Sequence, residues 1–307
     1  MAEITSKADT NQYQTGAAAI LLACILWGTT GTAASFTQAV SPLATGAFSM
    51  GVGGLLQALI ASKIIAYQRR QLWQFRSALL CSALALAVYP LAFYTSMQLA
   101  GVAVGTVVSI ASAPFFTVLI ERLFGKGLGV CRRWWQSFAT GALGIALLAG
   151  GGAKTPMHAQ SGRDYLFGIT LGLVAGLAYA IYSWVAKAMI VQGVKSQAAV
   201  GAIFALGALL LLPSLALTGE NLFANPLNSS IALYMALFPM CAGYLLLGYG
   251  LRHVEVHNAN LLTLFEPVVA SLLAVWIVGE TISLIGWLGI ALIGGCLVMQ
   301  SQPKGAE

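Results

Sequence analysis

The chain has 307 residues, of which 59% are hydrophobic and only 8% are charged, and its mean hydropathy is +0.84. So little charge excludes an ordinary water-soluble domain, and long continuous apolar runs exclude an outer-membrane β-barrel, whose strands alternate in polarity. The net charge of +6 does not indicate a partner nucleic acid, because the Lys and Arg residues lie in short segments between apolar runs.

The apolar runs follow a polar N-terminal tail, and each is close to the length of a membrane-spanning helix, which needs about 20 mostly apolar residues. The first run lacks the cleavage pattern of a secretory signal, so we expect it to be retained. We therefore predict an all-α integral membrane protein with ten transmembrane helices. The predicted spans are 17–35, 42–66, 76–98, 101–122, 134–150, 165–188, 197–217, 229–250, 256–278 and 283–300.

The basic residues predict the orientation of these spans. If both termini are cytoplasmic, all of the 15 Lys and Arg residues except Lys154 and Arg163 fall on the cytoplasmic side. Such a bias is typical of cytoplasmic loops in inner-membrane proteins. We therefore predict a multi-pass protein of the cell inner (cytoplasmic) membrane, in contact with lipid.

A weak internal repeat relates the two halves of the chain. The matches include Gly16 with Gly168, Pro114 with Pro267 and Trp134 with Trp287. They divide the chain into residues 1–150, a cytoplasmic tail with a first five-span repeat, a periplasmic linker at 151–164, and residues 165–307, a second five-span repeat with a short C-terminal tail. An odd number of spans per half predicts an inverted-topology repeat, with the site between the halves.

Four prolines interrupt the predicted spans at corresponding places. Pro90 and Pro239 lie in spans three and eight, and Pro114 and Pro267 lie in spans four and nine. A proline removes a backbone hydrogen bond, so it can bend a helix or let carbonyl groups line a cavity. We expect these four residues to act as gating or hinge positions, with a simple packing kink as the alternative for each one.

Span nine carries Glu266, the only carboxylate deep in a predicted span, at the end of a polar stripe formed by His257, Asn260 and Thr263. An ionised carboxylate in lipid needs water, a proton or a partner. Glu266 is therefore either a functional partner for a cation, an ammonium group or a proton, or a structural group that caps backbone opened by Pro267. We expect Asn260 and Glu266 to contact polar groups of a substrate, and His257 to be an interfacial histidine.

Aromatic side chains cluster at the middle of spans one, three, six and eight, where an interfacial belt does not explain them. Buried tyrosine hydroxyls need partners, so an amphipathic pocket competes with ordinary core packing as their explanation. Ser112 belongs to a group of hydroxyl residues near Pro114, for which bonding to their own backbone is the alternative. The predicted pocket residues of these two kinds are Trp27, Tyr89, Tyr94, Ser112, Tyr179, Tyr182 and Tyr244.

Glycines at regular spacing predict close helix contacts, with Gly141 and Gly144 in span five and Gly289, Gly294 and Gly295 in span ten. The five cysteines form no metal-binding spacing, and we expect free thiols. No paired acid and base, nucleotide-binding loop or metal-ligand set is encoded, so we expect no catalytic residues, no metal and no cofactor.

The pair Trp27-Gly28, the run Phe265-Glu266-Pro267 and the pair Gly279-Glu280 resemble the drug/metabolite transporter superfamily, in particular its EamA-type exporters. The resemblance covers roughly residues 16–300. The first half departs from the pattern, since Ala113 and Gly127 stand at the equivalents of Glu266 and Glu280. The aromatic-rich centre is similar to YddG-type exporters of aromatic amino acids, which implies a basket of helices around a central cavity.

These patterns predict a transporter that is not an enzyme and that functions as a monomer. Our main hypothesis is alternating-access export of small-molecule substrates, namely neutral amino acids (aromatic ones, methionine or threonine) or related metabolites. A multidrug or quaternary-ammonium exporter of the same fold is the first alternative. An intramembrane enzyme and a passive channel are further alternatives, and proton-coupled and facilitated transport both stay open.

Overall fold

The structure, a computed structural model, describes residues 2–100, 102–124, 131–150, 162–279 and 281–301. Within these ranges it contains helices and connecting turns, and no strand. Helices are the expected form because the hydrocarbon interior of a membrane offers no hydrogen-bond partners to an open backbone. Most of the predicted linker, residues 151–161, lies outside the described residues, as do Gly127 and Glu280.

Eleven helices are described, one of them a short connecting helix, α3. They are α1 Ala2–Ser35, α2 Pro42–Tyr67, α3 Arg69–Gln74, α4 Arg76–Ala100, α5 Val102–Phe124, α6 Arg132–Gly150, α7 Gly162–Val191, α8 Ser196–Thr218, α9 Pro226–Gly250, α10 Val256–Val278 and α11 Leu284–Ser301.

Seven helices within the described ranges are long and apolar enough to cross a membrane, lying in α1, α2, α4, α7, α8, α9 and α10. Residues Leu284–Met299 of α11 form a shorter apolar helix. Helices α5 and α6 occupy the predicted fourth and fifth spans. The chain is therefore a multi-pass helical membrane protein, and each predicted span has a helix at its place.

Two boundaries differ from the prediction. Helix α1 begins at Ala2, so the polar tail continues the first helix; this tail contains Ala, Glu and Lys, which favour helix formation. Helix α7 begins at Gly162, inside the predicted linker, with Asp164 in its first turn. A carboxylate there favours helix initiation through the helix dipole.

Helix contacts repeat between the two halves. Helices α4 and α5 both pack against α7, while α9 and α10 both pack against α1. Helix α2 packs against α8, and α6 packs against α11. If α1, α2, α4, α5 and α6 are exchanged for α7, α8, α9, α10 and α11 in that order, the contacts of α7 become those of α1, and the α2–α8 and α6–α11 contacts are converted into themselves.

An amide clasp joins the α1–α2 connection to the α8–α9 connection. Asn228, fully buried at the start of α9, accepts from the Gln38 backbone N–H at 3.0 Å and donates to the carbonyls of Gln38 and Asn221 at 3.0 and 2.9 Å. Asn221 in turn donates to the Ala39 carbonyl at 3.1 Å. These bonds fix the ends of α2 and α8 relative to each other.

A second amide clasp lies at the opposite ends of α2 and α8. Gln68 donates to the Gly193 carbonyl at 3.1 Å and accepts from the Lys195 backbone N–H at 2.9 Å. Gln71 donates to the Gln192 carbonyl at 2.8 Å. The α2–α8 pair is therefore tied by side-chain amides at both of its ends.

Glycines bring α6 and α11 into backbone contact. A Cβ added at Gly289 would lie 2.5 Å from the Gly144 carbonyl oxygen and 2.6 Å from the Leu148 backbone nitrogen. Gly294 and Gly295, also predicted as packing positions, have open space where a Cβ would lie. Helix α11 therefore packs closely through Gly289, while the two later glycines lie away from the tight contact.

The substitution Gly289→Ala should destabilise the protein by about 1–3 kcal/mol, because backbone atoms of α6 cannot move aside cheaply. Gly294→Ala in the same helix is the matched control and should leave stability unchanged. The melting temperature of each detergent-solubilised full-length variant measures these effects. The loss of its monodisperse chromatographic peak on heating is the readout. Equal melting temperatures for the two variants would contradict this account of the α6–α11 contact.

Candidate functional site

A cavity lies at the centre of the helix bundle, between α1, α2, α4, α7, α9 and α10. It holds about 60 Å³, measured as space available to the centre of a water molecule. A single water needs about 10–15 Å³ of such space, so the cavity has room for several waters. Its lining residues are Trp27, Thr30, Gly46, Ser49, Met50, Tyr89, Pro90, Phe93, Tyr94, Tyr179, Met240, Tyr244 and Glu266.

Aromatic rings form a large part of the cavity wall. The Tyr89 ring lies 5.8 Å from the rings of both Phe93 and Tyr179, measured between centroids. On another side, Trp27 and Tyr244 lie 4.8 Å apart. These separations are those of favourable aromatic pairs, so the rings support one another as a wall.

Glu266 is the acidic residue of this lining. It begins the helical segment Glu266–Leu273 of α10, directly after a 3₁₀ turn over Thr263–Phe265. Its carboxylate has no hydrogen-bond or ion-pair partner among the residues that the structure describes, and it is half-buried against the cavity. The proposed backbone cap over Pro267 is not formed. The carboxylate is therefore free to meet a solute, a proton or water in the cavity.

Interrupted backbone in α9 is held by side chains from two other helices. Residues Ala236–Gly243 form a π-helical stretch around Pro239. Trp27 Nε1 donates to the Pro239 carbonyl at 2.9 Å, and Gln57 Nε2 donates to the Met240 carbonyl at 2.8 Å. Carbonyl groups opened by the irregular turn thus find partners in α1 and α2, as lipid-embedded backbone requires.

The other predicted hinge prolines occupy different environments. Pro90 lies inside α4 and lines the cavity. Pro114 lies inside α5 and is not among the lining residues. Pro267 follows the 3₁₀ turn of α10, at the second residue of a new helical segment. Three of the four prolines therefore lie at or beside the cavity.

Six predicted binding residues line the cavity, namely Trp27, Tyr89, Tyr94, Tyr179, Tyr244 and Glu266. Three others do not. Tyr182 lies behind the wall, where its hydroxyl hydrogen-bonds that of Tyr244 at 3.0 Å. Ser112 donates to the Ser109 carbonyl of its own helix at 3.3 Å, as the alternative interpretation expected.

Asn260 is also placed away from the cavity. Its amide donates to Thr117 of α5 at 2.7 Å and to Ser183 of α7 at 2.9 Å, and its side chain is fully buried. Because these bonds hold three helices together, the structure gives Asn260 a bridging position instead of a place in the cavity wall.

Several lining residues were not predicted. Met50, Ser49 and Gly46 come from α2, a span for which the sequence analysis named no pocket residue. A Cβ at Gly46 would lie 2.5 Å from the Tyr94 ring, so this glycine makes room for an aromatic wall residue. The lone Gln57 in an apolar span was the one available signal that α2 faces polar groups.

The Trp27-Gly28 pair has a direct structural explanation. A Cβ at Gly28 would lie 2.7 Å from Cβ of Val269, so the glycine allows α1 to approach α10 closely. This approach brings Trp27 and Glu266 to the same cavity. Within the described residues, no group of three or more His, Cys, Asp or Glu side chains could hold a metal ion.

Comparisons with known proteins agree with this architecture. The sequence profile of the EamA-like transporter family matches residues 14–150 and 166–301. The chain is 33% identical over 288 residues to a Bacillus subtilis (strain 168) protein named uncharacterized transporter YwfM, covering 93% of each chain.

Two further similarities are more distant. The chain is 32% identical over 199 residues to the uncharacterized inner membrane transporter YedA of Escherichia coli (strain K12), covering 64% of this chain and 61% of that relative. A solved crystal structure aligns with a TM-score of 0.75 at 19% identity, over 92% of this chain and 95% of the other, which shows a shared fold.

The substitution Trp27→Phe should lower the free energy of unfolding by about 1–3 kcal/mol, because the Pro239 carbonyl would lose its donor. Trp276→Phe is the matched control, since Trp276 is 76% exposed on α10. Melting temperatures of the purified variants in detergent measure the difference. If both variants have the melting temperature of the parent protein, the hydrogen bond to the Pro239 carbonyl does not stabilise α9.

Proposed function

We propose, from the premise that this chain belongs to the EamA-like transporter family, that it exports neutral amino acids or related small metabolites by alternating access through the central cavity. The observation that carries the proposal is the unpaired carboxylate of Glu266 in a cavity walled by aromatic rings. The carboxylate attracts a positive charge, and the aromatic rings contact an apolar or planar side chain.

The lining matches the parts of a neutral amino acid. The ammonium group of a substrate would bind the carboxylate of Glu266 in a charge-assisted hydrogen bond, which is stronger than a neutral one. The side chain would contact rings such as Tyr89 and Phe93, where aromatic substrates gain favourable ring contacts. The hydroxyls of Thr30 and Ser49 donate to the Trp27 and Gly46 carbonyls of their own helices at 2.7 and 3.3 Å, and they would turn from these carbonyls to donate to the substrate carboxylate. Aromatic amino acids and methionine fit this description best, as in the YddG-type exporters.

Alternating access is supported by the place of the cavity between the two halves of the chain. Its lining comes from α1, α2 and α4 of the first half and from α7, α9 and α10 of the second, so separation of the halves on one side would admit a substrate. The two-fold repetition of helix contacts supplies two equivalent places for such a separation. In an inverted repeat these places lie on opposite membrane faces. The four interrupting prolines are the hinge positions of this proposal.

The topology of the proposal is ten spans with both termini in the cytoplasm. The distribution of Lys and Arg supports it, since cytoplasmic loops are rich in these residues. The protein would lie in the inner membrane, as the name of YedA states for that relative. Since both repeats are present in one chain, a monomer contains the complete cavity.

A second candidate function is export of quaternary ammonium compounds and other organic cations. It is favoured by the composition of the lining, which has one acidic residue and no Lys or Arg. Aromatic rings around a carboxylate also bind cations through cation–π attraction. The two candidates differ in whether the substrate needs a carboxylate, so competition by tryptophan and by benzyltrimethylammonium distinguishes them.

Proteoliposomes with the purified chain should show saturable uptake of radiolabelled tryptophan. Glu266→Gln should lower kcat/KM by about ten-fold or more, since a charge-assisted hydrogen bond to the substrate ammonium is lost. Glu220→Gln, in an exposed connection, is the matched control and should transport like the parent. Flux equal to that of empty vesicles for all neutral amino acids tested would remove the substrate proposal.

Export makes a separate prediction in cells. Cells that express the chain should retain less preloaded radiolabelled phenylalanine than cells that express Glu266→Gln, because only the parent binds the ammonium group well. Time courses of retained label measure this difference. Equal retention with both proteins would contradict outward transport of phenylalanine.

A further inference from the structure

Three polar contacts lie in layers below the cavity, between Glu266 and the membrane face at which α10 begins. In the first layer, Asn260 of α10 binds Thr117 of α5 and Ser183 of α7. The Asn260 Oδ1 atom is buried and has no partner among the described residues. The side chain therefore bridges two helices while one of its polar atoms is left unsatisfied, which is costly in a closed core.

The second layer is a nearly buried hydrogen bond between α10 and α5. His257 Nδ1 donates to Glu121 Oε2 at 2.8 Å, and the two side chains are 10% and 14% exposed. His257 was expected to be a simple interfacial histidine, and its partner lies 136 residues away in the chain. This hydrogen bond, shielded from water, ties the start of α10 to the end of α5.

The third layer joins α7 to the connection that precedes α10. Lys187 Nζ donates to the carbonyls of Leu251 and Val254 at 3.1 and 3.0 Å, and it lies 3.6 Å from Glu255 Oε1. The Lys187 side chain is 10% exposed. A buried cation here binds the backbone at the end of α9, where helix carbonyls lack partners.

The spacing of these residues places the layers one above another. On α7, Ser183 and Lys187 follow the cavity residue Tyr179 at intervals of one helical turn. On α10, Asn260 and His257 precede Glu266 on one side of the helix. Taken together, the three layers therefore join α5 and α7 to residues 251–260.

Helix α10 is interrupted directly above these contacts. Its first segment, Val256–Leu262, ends at the 3₁₀ turn Thr263–Phe265, and the next segment begins with Glu266 and Pro267. A 3₁₀ stretch within a longer helix often marks a hinge. The first segment can therefore turn about this point while the cavity wall at Glu266 stays in place.

We propose that Val256–Leu262 is a gating segment, which the Asn260 and His257 contacts hold shut against α5 and α7, while Lys187 fixes the connection that leads into it. The proposal rests on the proposed alternating-access function. When the segment turns outward, the cavity opens to the membrane face at which α10 begins, the cytoplasm in the proposed topology. Its polar groups then bind water in place of one another, which offsets part of the cost of exposing the buried apolar side chains of the segment, Val256, Ala259, Leu261 and Leu262.

The test uses the full chain with its five cysteines replaced by alanine and with Glu121→Cys and His257→Cys introduced together. A short, reducible bis-methanethiosulfonate cross-linker should lower tryptophan flux about ten-fold or more, and a reductant should restore it, because a tethered segment cannot open. Each single-cysteine variant, treated alike, is the control. Flux that is unchanged after complete cross-linking would overturn the gate.

A second measurement does not depend on the substrate. Ser49→Cys places a thiol in the cavity of the cysteine-free chain, in vesicles with the cytoplasmic face outward. An impermeant maleimide should label it about five-fold faster when His257→Ala releases the segment, and much more slowly when the Glu121→Cys and His257→Cys pair is cross-linked. Glu121→Gln, which keeps a hydrogen-bond acceptor for His257, should label like the parent.

The outcomes separate the two proposals. If the labelling rate changes when the segment is released or cross-linked, but the protein transports no amino acid, the substrate proposal is removed and the gate is kept. Amino-acid flux with equal labelling in all of these variants would keep the transporter and overturn the gate.

Discussion

The hydrocarbon interior of a membrane offers no hydrogen-bond partners, and this constraint explains most of the structure. It requires continuous helices wherever the chain faces lipid. Where α9 departs from regular helix around Pro239, the side chains of Trp27 and Gln57 bind the opened carbonyls. This irregular backbone and Glu266 both lie beside the cavity.

The frame of helix contacts repeats between the two halves of the chain, but the carboxylate of Glu266 has no counterpart in the first half. Helix contacts are exchanged pairwise between the two sets of five helices, whereas Glu266 has Ala113 at its counterpart position. In the proposed mechanism, a repeated frame would provide two equivalent ways of opening. A single carboxylate provides one polar anchor, so a solute would bind in one preferred orientation in both states.

The sequence was sufficient to predict the helices and many residues of the cavity wall. Run length and charge placement predict helices because lipid imposes both, and mid-span aromatic residues with Glu266 stood out against an apolar background. The sequence was not sufficient for contacts between distant segments. Helical spacing gives the face on which Asn260 lies, but not that Thr117 and Ser183 meet it there. The His257–Glu121 pair was missed for the same reason.

The two amide clasps hold α2 and α8 together as a fixed pair. Because Asn228 ties one end of the pair and Gln68 ties the other, these helices can neither slide nor splay apart without breaking several hydrogen bonds. In the proposed mechanism, the wall that α2 contributes through Ser49 and Met50 would then be a fixed surface, and the cavity would change its volume by displacement of the facing helices. Selectivity for solute size would accordingly be set by how far those helices travel from an immobile side.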